Sequence, residues 1–314
     1  MEGASVHYNP TPGPAYSEWL YGHCFVCLAW LAVHPAWGVI ALPVLSPLYV
    51  RAVDVPPLNE KYGWDFCTKH QLGVELMTWF MTAIRNLGVT SKVWLAVDGA
   101  YAAAPFLKPM PKLSVVVVSR LRKDPCLFDM PTERTAGQRG RPRIYGEHKI
   151  SLAKRAAHKQ GWETITYLCR GVEVTRQYKS FLATTQLTSG VIRVVIVRFD
   201  DGNWAPYFCT DSTAGVQDIL EAVAGRWGIE EQFHDVKEVW GAGQQHVVEH
   251  RLLEPQRLAV RARGTVFLGR RRNNSRIAAT DRGTTWTDVR FTPTRDAPLP
   301  GKCCRNNFSR SCQS

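Results

Sequence analysis

The sequence predicts a mixed α/β protein whose central layer is interrupted by a β-rich insertion, and three observations predict it. Two short uninterrupted apolar runs, Lys92–Val97 (KVWLAV) and Ser114–Ser119 (SVVVVS), have the length and composition of strands covered on both faces. Two longer stretches, Lys69–Leu87 and Thr213–Gly241, keep apolar residues at helical spacing. Residues 150–210 then read mostly as strands, which places a β-rich block between the apolar runs and the late helix.

Taken in order, Met1–Glu18 is Pro/Gly-rich loop with no room for a strand. Tyr21–Val33 and Val39–Val50 are rich in β-branched and aromatic residues, and HPAWG between them reads as a turn, so the pair predicts a hairpin of buried strands. The same apolar stretch, Cys24–Val50, is the one place for a membrane span, but His34, Pro35, Gly38, Pro43 and Pro47 break it, and no membrane partner is predicted. A loop follows at Pro56–Pro57. In Lys69–Leu87 the residues Leu72, Leu76, Trp79, Phe80 and Ile84 make one face, and Gly88 stops the helix. The Lys92–Val97 strand ends in Asp98 and Gly99; a short helical patch, Ala102–Leu107, leads to the second apolar strand and then to Arg120, Arg122 and Lys123. Asp129–Gly146 is an Arg/Gly/Pro-rich loop or boundary. Thr164–Leu168, Val172–Tyr178, Val191–Arg198 and Trp204–Cys209 read as strands, with Asp201–Gly202 as a hairpin turn and the Asp200–Asp201 pair as turn chemistry.

The late stretch is the organising element. Val216, Leu220, Val223 and Trp227 form an apolar seam, and Arg226, Glu230, Phe233 and Lys237 repeat the spacing on an adjacent face. A carboxylate thus stands between two cations beside a buried face. The same spacing also describes a solvated i, i+4 ion pair. Asp98 has a comparable ambiguity: strand ends in open α/β sheets gather sites, and a strand-end Asp also caps a following turn.

Formal charge is +12, but thirteen arginines, one lysine and four acids after residue 249 account for +10 of it, so the body is nearly neutral. The nine cysteines show no disulfide framework; Cys24-x2-Cys27 sits in an apolar run without a second pair and reads as buried free thiols of a reducing, cytoplasmic compartment.

Arg226-x3-Glu230-x6-Lys237, within GRWGIEEQFHDVKEVWG, resembles the carboxy-terminal signature of DDE transposases of bacterial insertion sequences, Tyr-x2-Arg-x3-Glu-x6-Lys, with Val223 at the Tyr position. VWLAVDGAYAAAPFL followed by VVVVSRLRKDPCLFD resembles the segment that carries the family's second catalytic Asp, here Asp98. The resemblance implies a ribonuclease-H-like mixed sheet with helices. Residues 1–130 would form the first part of the core, 131–210 the insertion and return strand, and 211–249 the final core helix. It implies Mg²⁺-dependent cleavage and strand transfer at transposon ends, with two ions ~3.5–4 Å apart held by carboxylates. Asp98 and Glu230 would be catalytic metal ligands. Arg226 and Lys237 would face DNA phosphates, with Arg120, Arg122 and Lys123 as further backbone contacts. Double-stranded DNA is the implied partner, paired-end synapsis implies a homodimer, and the bound protein would lie on the nucleoid.

The family uses three acids, the first on the first core strand. That strand is missing from the pattern, since the sequence after Met1 resembles the family's segment downstream of the first-Asp motif, and Asp54 and Asp65 come too late to replace it. Its loss would open a sheet edge or leave a slot. The expectation is an incomplete, inactive copy that binds Mg²⁺ poorly. The tail 250–314, Arg-rich with Cys303 and Cys304, reads either as a frameshifted segment or as a basic arm. The alternative function is a non-catalytic DNA-binding remnant of a mobile element; a membrane protein anchored by Cys24–Val50 is a third reading.

Overall fold

A computed structural model of the chain describes residues 3–9, 18–34, 38–132 and 139–238. Residues 239–314, which include the tail 250–314, lie outside the described residues. The chain divides into two units, residues 1–79 with 231–314 and residues 80–230.

The first unit is built from short antiparallel pairs. β1 (Ser5–Tyr8) pairs with β2 (Trp19–Gly22), correcting the expectation that this region has no strand. The predicted hairpin is real but segmented: β3 (Cys24–Phe25), β4 (Leu28–His34), β5 (Gly38–Leu45) and β6 (Leu48–Tyr49) pair as β4 with β5 and β3 with β6. Its strands are half-buried rather than buried, and they form sheets of their own. The register shifts at Leu28/Ala29, where Ala29 faces Pro43, a residue that cannot donate to a ladder. Cys24 and Cys27 are free and half-buried. Pro56 and Pro57 do not make a loop. They open α1 (Pro56–Tyr62), where their fixed φ suits the first helical turn, and Gly63 ends it at φ 68°. Asp54 is held by Arg51 at 2.9 Å, and Asp65 accepts from Asn59 Nδ2 at 3.1 Å.

α2 (Lys69–Asn86) begins at a capping box: Gln71 N donates to Thr68 Oγ1 and Thr68 N to Gln71 Oε1. Its buried face is Leu72, Leu76, Met77, Met81 and Ile84, with Trp79 and Phe80 only half-buried. Gly88, at φ 80°, supplies the left-handed residue that stops it.

The second unit carries an eight-stranded sheet. In chain order its elements are β7 (Val93–Val97), α3 (Ala104–Leu107), β8 (Val115–Arg120), β9 (Leu127–Phe128), β10 (Lys149–Ile150), α4 (Leu152–Ala157), β11 (Glu163–Cys169), β12 (Val172–Thr185), β13 (Gly190–Arg198) and β14 (Trp204–Cys209). The strand order is β10-β9-β12-β13-β14-β8-β7, with β11 added to β12. β7 and β8 are parallel and the other pairs antiparallel. β7 ends the order, with one neighbour among the described residues, and is half-buried with Trp94 exposed, correcting the expectation of a strand covered on both faces. The strand reading of residues 150–210 missed α4, a short helix capped by Ser151. The Asp201–Gly202 turn is as expected: Asp201 accepts from Asn203 N and Nδ2, and Asp200 pairs with Arg176.

The helix predicted over Thr213–Gly241 is two helices. α5 (Val216–Gly225) and α6 (Trp227–Glu238) meet at Arg226, whose N–H reaches Ala222 O while Ile229 N turns back to Arg226 O. Ile219 and Leu220 bury against Val116, Val118, Val195, Val197 and Cys209, flanked by Val216 and Val223, whereas Trp227 leaves the seam and is 41% exposed. Each of these aliphatic side chains contributes ~1.5–3 kcal/mol when fully buried, so α5 is fixed by the sheet beneath it.

The start of β7 is tied to the turn after β14. Asp211 accepts from Thr213 N and Oγ1 and from Lys92 Nζ at 3.0 Å. The Thr213 bonds first, then Lys92, hold its carboxyl down to about 2 against an ordinary 3.8. A depressed carboxyl stabilises the fold fully above pH ~4 and loses that contribution as pH falls through ~2. Lys92 is 68% exposed and Asp211 17%, so solvent screening reduces the contribution to about 1 kcal/mol. Urea unfolding of Asp211→Ala is expected to show a deficit of about that size at pH 6 that closes by pH 2; a deficit independent of pH would mean the charge is irrelevant.

Candidate functional site

Asp98 leaves β7 with extended backbone (φ −63°, ψ 153°), so the strand alternation carries through to it. Its Oδ1 accepts from Ala100 N at 2.9 Å and caps the 3₁₀ turn Gly99–Tyr101. The capping reading of the sequence is therefore correct. The parallel register places Val97 beside Ser119, which sets Asp98 level with Arg120, the last residue of β8. A methyl group on Gly99 would lie 3.5 Å from the Arg120 carbonyl oxygen. Across the next pairing, Arg120 faces Tyr207 of β14.

Tyr207 connects this strand end to the helices. Burial pushes its hydroxyl pKa up, while the Arg120 and Arg226 guanidinium charges pull it down, so both cations lie within electrostatic reach of one ring. Arg226 stands at the α5–α6 break and holds Glu230 at 2.8 Å. Arg120 and Arg226, the latter with its partner Glu230, therefore both lie near Tyr207, and Asp98 stands level with Arg120 at the carboxyl ends of β7 and β8. Asp211 and Lys92 lie at the opposite end of the same strands.

The remaining predicted residues divide. Arg120 is exposed and has no ion-pair partner among the described residues. Arg122 pairs with Asp124 at 3.2 Å with both side chains mostly solvated, a contact worth little. Lys123 lies over the Trp204 ring at 4.9 Å. Lys237 falls on α6, but its side chain lies outside the described residues.

No three His, Cys, Asp or Glu side chains gather into a metal-binding group among the described residues. Mg²⁺ takes oxygen ligands in near-octahedral geometry, and two ions need several carboxylates between them. Here one carboxylate caps a turn and the other is already neutralised by a guanidinium. These two acids suit part of such a site and do not complete it.

Residues that sequence reasoning missed are Tyr207, Arg170 and the exposed ring of Trp227. Arg170 lies in the turn between β11 and β12, with its guanidinium 4.1 Å from the Trp227 ring centroid. The dipeptide Arg170–Gly171 is legible as a turn, but nothing local says where its tip lands.

No helix among the described residues is long and apolar enough to cross a membrane. A family model described as a transposase DDE domain matches residues 74–260, more than half of the chain. No curated protein matches it.

Proposed function

Because the chain belongs to the DDE transposase family, whose members act on DNA with divalent metal ions, we propose that its second unit is built for Mg²⁺-dependent cleavage and strand transfer at transposon ends. The reading is supported by Asp98 standing beside Arg120 at the carboxyl ends of β7 and β8, and by Tyr207, paired with Arg120, lying within reach of the Arg226 that holds Glu230. Bound Mg²⁺ ions would supply charge to the scissile phosphate and lower the pKa of an attacking hydroxyl. Asp98 is oriented for ligation by the Ala100 amide, and Glu230 is held in place by Arg226. Arg120, with no ion-pair partner among the described residues, is the cation best placed to take a phosphate, and Arg226 follows when its carboxylate is otherwise engaged. Lys237, about two turns beyond Glu230 along α6 by the usual helical repeat, is the further cation of this reading. Binding of two transposon ends by a homodimer, and a cytoplasmic protein that sits on the nucleoid when bound, belong to this reading.

The motifs assign two acids where the chemistry uses three, and no three such side chains gather among the described residues. That observation favours, as a second reading, an inactive copy that still binds DNA. Incubation of the purified 314-residue chain with end-bearing plasmid is expected to give salt-sensitive binding and strand-transfer products at background. Weak Mn²⁺ binding, followed by electron paramagnetic resonance, is expected to vanish in both Asp98→Asn and Glu230→Gln. Mg²⁺-dependent joined products from this chain would overturn the inactive reading, and unchanged Mn²⁺ binding in both variants would remove the two carboxylates from the site.

A further inference from the structure

The β11–β12 turn places both Arg170 (φ 53°) and Gly171 (φ 78°) in the left-handed region. Two such residues make the tight hairpin turn that matches strand twist, and glycine or asparagine adopts it with least crowding. Arg170 therefore occupies a conformation that its Cβ disfavours, and a strained position of this kind points to a role beyond turning the chain. Its guanidinium carbon lies 4.1 Å from the ring centroid of Trp227, which stands at the start of α6, three residues before Glu230. The hairpin is anchored where this happens, since Leu168 N donates to Glu221 Oε1 of α5 at 3.4 Å.

Charge separates the two arginines at that ring. Arg226, 5.8 Å from the centroid, is committed to Glu230. Arg170 has no hydrogen-bond or ion-pair partner among the described residues, so its N–H edge is unspent. An indole beneath a guanidinium fixes the fork and leaves the in-plane N–H groups pointing outward, the geometry that takes two oxygens of one phosphate.

We propose that Arg170, propped on Trp227, grips a single backbone phosphate of DNA and so joins the insertion hairpin to the helix that carries Glu230. The proposal rests on the DNA-processing reading above. Lysine would keep the charge and lose the planar fork. Glycine would suit the backbone and lose the grip altogether.

The test is fluorescence anisotropy of the full chain with a labelled 30-base-pair duplex across a salt series, alongside thermal melting. Arg170→Gly is expected to melt at the same temperature as the parent or higher, to bind at least threefold more weakly, and to lose ~0.9 from the slope of log K against log salt, the loss for one phosphate contact. Arg170→Lys is expected to keep the slope and bind more weakly. A lower melting temperature in Arg170→Gly with an unchanged slope would make Arg170 a prop for the fold and overturn the proposal. So would equal binding by parent and both variants, while the DNA reading stood. If the parent shows no salt-sensitive binding at all, both fall.

Discussion

Ile219→Ala is expected to destabilise the second unit by about 2–5 kcal/mol, the range for truncating a fully buried isoleucine to alanine. Ile219 is 0% exposed and lies on α5 among Val116, Val118, Val195, Val197 and Cys209. Its removal leaves a cavity that a sheet hydrogen-bonded on both sides cannot close. Trp227→Ala, although it deletes a larger side chain, is expected to cost under ~1.5 kcal/mol, since the ring is 41% exposed and loses chiefly its guanidinium stacking. Urea denaturation of the two variants side by side decides the order. A costlier Trp227 truncation would mean that the apolar seam continues through Arg226 as one helix.

A second large effect concerns Cys209. Its side chain is fully buried in β14, and burial pushes its thiol up to about 12 against an ordinary 9.0. The thiolate is the reacting species, so at pH 8 ionisation alone slows its alkylation by roughly a thousandfold. Iodoacetamide labelling read by mass spectrometry is expected to modify the exposed Cys126 and spare Cys209 until denaturant is added. Equal native rates at the two positions would show that β14 and α5 separate on the labelling timescale.

The strands of the large sheet were legible because their signal is local. KVWLAV and SVVVVS are both strands, although only SVVVVS is covered, and Trp204–Cys209 appears with its predicted bounds. The failures share a cause as well. Pro56–Pro57 reads as a breaker but is also a good helix start, and only the apolar contact of Leu58 selects the second meaning. The i, i+4 periodicity runs unbroken from Val216 through Trp227, yet α5 and α6 are separated at Arg226 and Trp227 is exposed, which the periodicity alone does not show. Of the candidate site, Asp98 and Glu230 were singled out by their motifs. Arg120 ranks with Arg122 and Lys123 on sequence because charge spacing alone cannot tell a lone cation from one that is paired or stacked. Tyr207 and Arg170 were invisible, since each acquires its place through partners distant in the chain.

The Arg226–Glu230 pair carries a thermodynamic consequence. At 2.8 Å each group satisfies the other, so any cation that recruits the glutamate releases the arginine, and any anion that recruits the arginine releases the glutamate. Linkage requires these effects to be equal in size. A metal and a phosphate arriving here would therefore each raise the other's affinity by the same factor, making the bridge an internal placeholder that keeps both charges compensated while neither ligand is present.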